Sequence, residues 1–126
     1  MGILFLRAAV VYFVLGVVLG MVMGMTGDFK YTSSHAHINL LGWASLALAG
    51  VIYHLFPKAG GNRLAKIHFW MHNVGLIGLV SGMFMVVNEF GSAGSLLAAS
   101  ATITVIGVII FAMNVWMNVK ANSHPL

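Results

Sequence analysis

Four apolar stretches dominate this chain, and each is about as long as the 20 residues that an α-helix needs to cross a lipid bilayer. They lie at about residues 3–25, 34–56, 65–87 and 93–119. Hydrophobic residues make up 60% of the chain and charged residues 6%, whereas a soluble domain carries about 25% charged residues. The sequence therefore predicts an all-α membrane protein in which residues 1–126 form a single domain of four transmembrane helices.

The connections between these stretches differ in charge. The second connection contains Lys58, Arg63 and Lys66 and no acidic residue, whereas the third contains Glu89. Because Lys and Arg accumulate in cytoplasmic loops, we expect a multi-pass protein of the inner (cytoplasmic) membrane of a prokaryote, with both termini cytoplasmic. The net charge of +4 is spread over loops and ends, so it does not indicate a nucleic-acid partner.

Two histidines at the start of the second stretch form the main candidate site. Ionisable side chains within a membrane span are usually functional, and His35 and His37 lie at the mouth of this one. Residues two apart on an α-helix point about 200° apart and differ in height by about 3 Å. The two imidazoles are therefore expected on opposite sides of one helix, which favours two sites over one site that both share.

A second histidine pair and a methionine cluster offer other metal ligands. His68 and His72 share one face of the third predicted helix, where they could chelate a metal such as copper. The competing interpretation is that His72 makes a hydrogen bond inside the bundle, to Asn73, Asn114 or a neighbouring backbone group. Met21, Met23 and Met25 could pass copper(I) to a site or simply fill space. Cysteine is absent, which excludes disulfides, thiolate sites and iron–sulfur clusters.

Glycines repeat every four residues on two of the predicted helices. Gly16, Gly20 and Gly24 lie on the first helix, and Gly78 and Gly82 lie on the third. Small residues at this spacing let helix backbones approach closely in lipid. They predict close packing, either within one bundle or between subunits.

Residues 34–69 resemble the tenth and eleventh helices of subunit I, the catalytic subunit, of heme-copper oxidases and nitric oxide reductases. In that family a His-x-His opens the tenth helix, a Gly follows five residues after the second His, and an aromatic–Pro pair ends the helix. The eleventh helix then begins with Ala-Lys-Ile-His-Phe or a close variant. The matching residues here are His35-Ala36-His37, Gly42, Phe56-Pro57 and Ala65-Lys66-Ile67-His68-Phe69.

The resemblance implies a role for each member of the His pair. In the family, the first His binds the high-spin heme at which the gas is reduced, and the second binds the low-spin heme. Carried over to this chain, His35 and His37 are axial ligands of two different hemes, and heme b is the expected cofactor. His54 and His68 stand at family positions that are not heme ligands.

The chain lacks another part of the family pattern. The copper ligands of the family form a His-Pro-Glu-type motif and a His-His pair, and neither motif occurs here. Whether this protein is an oxidoreductase for oxygen or nitric oxide is therefore left open. Copper also stays open as a second cofactor, with His72 as its candidate ligand.

The size of the chain points to an assembly. Subunit I of the family has twelve core helices in three arcs of four, so three copies of this chain would rebuild twelve helices as a homotrimer. His35 of one chain and His37 of the next could then share one heme at each interface. The predicted function is a membrane heme b protein for electron transfer or for gas or redox chemistry, with an unknown electron donor. The alternatives are a copper-handling membrane protein and a non-enzymatic accessory subunit of a respiratory complex.

Overall fold

The computed structural model describes residues 1–121 of the chain. Its four long helices are α1 (Gly2–Thr26), α2 (Thr32–Leu55), α3 (Arg63–Val87) and α4 (Gly94–Asn118). Each of them is long and apolar enough to cross a membrane. The prediction of an all-α membrane protein with four spanning helices is confirmed at this level. That the chain forms a single domain stays a prediction.

Local residue chemistry explains where the helices end. Gly27 adopts the left-handed conformation after α1, with φ 69°, and its amide donates to the carbonyl of Met23. Phe56 precedes a proline, which disfavours helical backbone, and its φ of −119° and ψ of 83° end α2. The side chain of Asn62 caps α3 by accepting a hydrogen bond from the amide of Ala65 at 3.1 Å.

The helices pack as two antiparallel pairs, α1 along α2 and α3 along α4. The α1–α2 and α3–α4 connections lie at one end of the bundle, which we call the His-pair end. The start of α1 and the α2–α3 connection lie at the opposite end. There the rings of Phe5 and Tyr53 pack edge to face, with centroids 5.1 Å apart, inside the buried core.

The glycine repeats are used for contacts within the chain. A Cβ atom on Gly20 would come 2.8 Å from Cε1 of His35, and one on Gly82 would come 2.8 Å from Cδ2 of Leu97. Gly24 differs, because nothing in the described part of the chain lies within 4 Å of its Cβ position. The interpretation of close packing within the bundle therefore holds for these two glycines.

A π-helix interrupts α2 directly after the His pair. It covers Ile38–Ala44, and its last backbone bond runs from the amide of Ser45 to the carbonyl of Leu40. The hydroxyl of Ser45 donates to the same carbonyl at 2.7 Å. This turn is the main irregularity of the four helices. It is of interest because π segments are rare and often mark functional sites.

Candidate functional site

His35 lies against α1 at the His-pair end. Its Nδ1 is 2.9 Å from the carbonyl oxygen of Gly16. A carbonyl can only accept, so Nδ1 carries the proton and donates to it, and the longer approach of the Asn39 side-chain nitrogen to Nδ1, at 3.3 Å, is then not a hydrogen bond. Asn39, one turn later on α2, donates its side-chain amide to the backbone carbonyl of His35 at 2.9 Å. The ring is therefore held against α1, and in the neutral imidazole the lone pair is on Nε2.

His37 is held in the same tautomer by its own helix. Its Nδ1 lies 2.8 Å from the carbonyl oxygen of Ser33, so Nδ1–H donates there. The residue is partly exposed. Among the residues that the structure describes, no hydrogen-bond partner faces Nε2 of His37 or of His35. The two histidines thus differ in their surroundings but present the same free ring nitrogen.

This arrangement suits axial ligation of a heme. A metal-bound histidine almost always donates its other ring N–H to a carbonyl, carboxylate or water, which fixes the ring and makes the ligating nitrogen more basic. The 1–121 part of the chain contains no group of three or more His, Cys, Asp or Glu residues that could hold a metal ion.

His68 and His72 are buried, and their ring nitrogens are engaged with each other, with Tyr53 and with the backbone. Nε2 of His72 lies 2.8 Å from the carbonyl oxygen of Leu41, and it must donate. Nδ1 of a neutral His72 then accepts from Nε2–H of His68 at 3.3 Å. Nδ1 of His68 in turn accepts from the hydroxyl of Tyr53 at 3.0 Å. Both histidines are only 1% exposed, so a copper ion at His72 would have to displace one of these hydrogen bonds.

Asparagines extend this hydrogen-bonded chain to the opposite end of the bundle. Asn114 of α4 is fully buried and donates to the hydroxyl of Tyr53 at 3.3 Å and to the carbonyl of Ala59 at 3.0 Å. Its own oxygen accepts from Asn62 at 2.7 Å and from Asn118 at 2.9 Å. No buried side-chain nitrogen or oxygen in the described residues lacks a partner. The chain of polar groups therefore fits a structural role in a membrane interior.

The remaining candidate residues do not assemble into a site. His54 is exposed and lines a cavity of about 240 Å³ near the start of α1. Met23 is 5% exposed, whereas Met21 and Met25 are 58% and 78% exposed. The three methionines therefore do not face a common position.

Sequence reasoning missed three parts of this arrangement. They are Asn39, the carbonyl of Leu41 and the Tyr53–Asn114 contact. Asn39 could have been noticed, because polar side chains in a membrane span usually have a specific partner. Asn114 and a backbone group were both candidate partners of His72, but no signal pointed to the Tyr53 contact or to the Leu41 carbonyl.

Comparison with curated proteins found partial similarity to subunit I of cytochrome c oxidases. The Cbb3-type cytochrome c oxidase subunit CcoN1 of Stutzerimonas stutzeri is 31% identical over 61 residues, which is 44% of this chain and 13% of that protein. Cytochrome c oxidase subunit 1 of Corynebacterium efficiens is 37% identical over 71 residues, or 53% of this chain and 12% of its own. The bacteroid cytochrome c oxidase subunit 1 homolog of Bradyrhizobium diazoefficiens is 26% identical over 120 residues, which cover 71% of this chain and 22% of that protein.

The chain therefore spans between 12% and 22% of the length of these relatives. No protein-family model matches the chain. No solved structure matches it. Four apolar helices and bacterial relatives fit a multi-pass prokaryotic membrane protein. Partial matches to several cytochrome c oxidase subunits agree with the resemblance seen in residues 34–69 and support a subunit I-like relative.

Proposed function

We propose that this protein is a membrane heme b protein in which His35 and His37 are axial ligands of heme iron. The observation that carries the proposal is that the two imidazoles are in the same tautomer. Each donates Nδ1–H to a backbone carbonyl and leaves Nε2 free. The relation to cytochrome c oxidase subunits supports the same function. A bound heme would supply an iron that accepts and returns one electron.

The residues around the two histidines prepare them for this role. The carbonyl of Gly16 orients the ring of His35, and the absence of a side chain on Gly20 leaves the space that the ring occupies. The carbonyl of Ser33 does the same for the ring of His37. Both ligands are held before heme binds, so little side-chain freedom is lost on ligation.

The second axial ligand of each heme comes, in this proposal, from another subunit. His35 lies against α1 and His37 against its own helix, and residues two apart on a helix cannot face one iron together. In a homotrimer, His35 of one chain and His37 of its neighbour would bind one heme at each interface. Both axial positions would then be filled, which favours electron transfer over reduction of oxygen or nitric oxide.

The proposed orientation in the membrane places both termini in the cytoplasm. Lys58, Arg63 and Lys66 are all exposed at the opposite end of the bundle from the His pair. Exposed basic residues in a short connection are typical of the cytoplasmic side. The His pair would accordingly lie near the outer face of the inner membrane of a prokaryote.

The alternative functions have weaker support. A copper-handling protein would use His35, His37 and the three methionines without heme, and His72 is the other candidate copper ligand. Both ring nitrogens of His72 are engaged, and the methionines face different surroundings. A non-enzymatic accessory subunit would use the exposed apolar helix surfaces for a protein partner, but the free Nε2 atoms of the His pair would then have no purpose.

Absorption spectra of the purified full-length protein test the proposal. We expect reduced-minus-oxidised bands of a bis-histidine heme b, with His35→Ala and His37→Ala each losing most of the heme and His54→Ala retaining it. His54 is the matched control because it is exposed and lies at the opposite end of the bundle. A colourless protein that contains copper would support the copper-handling function instead. Loss of the low-spin spectrum in His54→Ala but not in His37→Ala would overturn the assignment.

A further inference from the structure

The π segment of α2 receives a hydrogen bond from another helix. Its last backbone bond joins the amide of Ser45 to the carbonyl of Leu40, and the α-helical pattern resumes at once. A return from bonds five residues apart to bonds four apart leaves one carbonyl of that turn without an amide donor. An unpaired carbonyl is strongly unfavourable inside a membrane. His72 of α3 supplies a donor in this turn, through Nε2–H to Leu41.

The hydrogen bonds in the rest of the buried chain are consistent with a proton on Nε2 of His72. Tyr53 donates to Nδ1 of His68, which leaves Nε2 of His68 as the protonated nitrogen. Nε2–H of His68 then donates to Nδ1 of His72, so the remaining proton of a neutral His72 is on Nε2. The bond to Leu41 is therefore fixed in direction as well as in place.

The extra residue of a π turn sets the direction of every residue before it. A π turn holds one more residue than an α turn, so the preceding residues are displaced by one position, about 100° around the axis and about 1.5 Å along it. His35 and His37 lie immediately before the π segment. If α2 were unbroken and its later half stayed in place, Ala36 and Ile38 would occupy the positions that the two histidines now hold.

We propose that His72 is a positioning residue that holds the π turn and thereby sets the direction of His35 and His37. A hydrogen bond from α3 thus controls the placement of side chains on α2 that it does not touch. The part of the inference that concerns heme ligation rests on the proposed function. The part that concerns helix register does not.

Distances between two spin labels can test the register without heme. The chain has no cysteine, so Ser33→Cys and Ser92→Cys supply the label sites. Ser33 precedes the π segment, Ser92 lies in the α3–α4 connection, and both are exposed. Pulsed electron paramagnetic resonance on the full chain, spin-diluted in lipid bilayers, would give the distance distribution.

We expect His72→Leu to shift the distance maximum, because the labelled part of α2 rotates. His72→Phe fills more of the volume of the His72 ring, so it is the second test variant if His72→Leu does not fold. His72→Gln keeps an amide that can donate to Leu41 and should retain the original distance. Thr104→Val is the matched control, since Thr104 is buried against α3 but its hydroxyl bonds the carbonyl of Ser100 in its own helix.

An unchanged distance in both His72→Leu and His72→Phe would overturn the inference, whether or not the protein binds heme. A shifted distance in Thr104→Val as well would also overturn it, because the effect would then be general loosening. If the distance shifts in the His72 variants while a heme spectrum stays unaltered, the register inference stands. The assignment of His35 and His37 as heme ligands would then be wrong.

Discussion

The Nδ1 atom of His35 lies 2.9 Å from the carbonyl oxygen of Gly16 and so connects the His pair to α1. The glycines of α1 make this contact possible. A Cβ atom on Gly16 would come 2.5 Å from Nδ2 of Asn39, and one on Gly20 would press on the His35 ring. Gly20 therefore provides space for the His35 ring, which we assign to heme ligation, and Gly16 provides space for Asn39.

Substitution of a glycine on α1 should disturb His35 without removing it. We expect Gly20→Ala to lower the heme content several-fold, because the added methyl group displaces the imidazole and misdirects Nε2. Gly24→Ala is the control, since no described atom lies within 4 Å of that Cβ position. The heme-to-protein ratio of the two purified variants is the measurement. Equal heme content in both would contradict the contact between His35 and Gly20.

Removal of the Tyr53 hydroxyl should destabilise the bundle. The hydroxyl donates to His68 and accepts from Asn114, and all three side chains are buried. Leaving such groups without partners costs about 1–3 kcal/mol, so Tyr53→Phe should lower the free energy of unfolding by about that amount. Unfolding in mixed micelles measures it.

Tyr31→Phe provides the comparison for Tyr53→Phe. It makes the same chemical change at a partly buried hydroxyl that donates to Asn88 at 3.2 Å, close to the surface at the His-pair end. Water can replace this bond, so the loss of unfolding free energy should be smaller than for Tyr53→Phe. Equal losses would argue against a special contribution from the buried chain.

The membrane orientation can be checked with reporter fusions. A reporter fused after Gly61, next to the exposed Arg63, should report a cytoplasmic position. A reporter fused after Gly91 should report a position outside the cytoplasm. The reversed pattern would place the His pair near the cytoplasmic face. It would change the side from which an electron donor reaches the heme.

The proposed assembly predicts a definite stoichiometry. Native mass spectrometry of the detergent-solubilised protein should give a trimer with one heme for each interface. The reduced protein should bind carbon monoxide slowly or not at all, because His35 and His37 fill both axial positions. A heme-loaded monomer, or rapid binding of carbon monoxide, would contradict a heme shared between subunits.

The four helices could be predicted from sequence, and a candidate site at the start of α2 could be proposed, because their signals are local. A run of apolar residues is enough to indicate a span, and a proline at position 57 is enough to end α2 near Leu55. The same reasoning found His35 and His37 as unusual residues in a span. It also gave the bond of His72 inside the bundle as one of two interpretations.

The π segment could not be predicted in this way. Its residues, from Ile38 to Ala44, contain no proline and are compatible with an α-helix. What distinguishes the turn is a donor from His72, 31 residues later in the chain. Such a contact exists only once α2 and α3 have packed, so no local pattern in α2 reports it.

The use of Gly20 and Gly82 inside the chain has a consequence for how copies could associate. Their close approaches are already taken by His35 and Leu97. Contacts between copies would thus not use these two glycines and would include bulky exposed side chains such as Trp70 and Trp116. Lipid tails are as apolar as such side chains, so lipid and detergent can take their place in a contact. The stability of the oligomer would then vary with the surrounding lipid or detergent. A cofactor shared between copies would be lost whenever the oligomer dissociates.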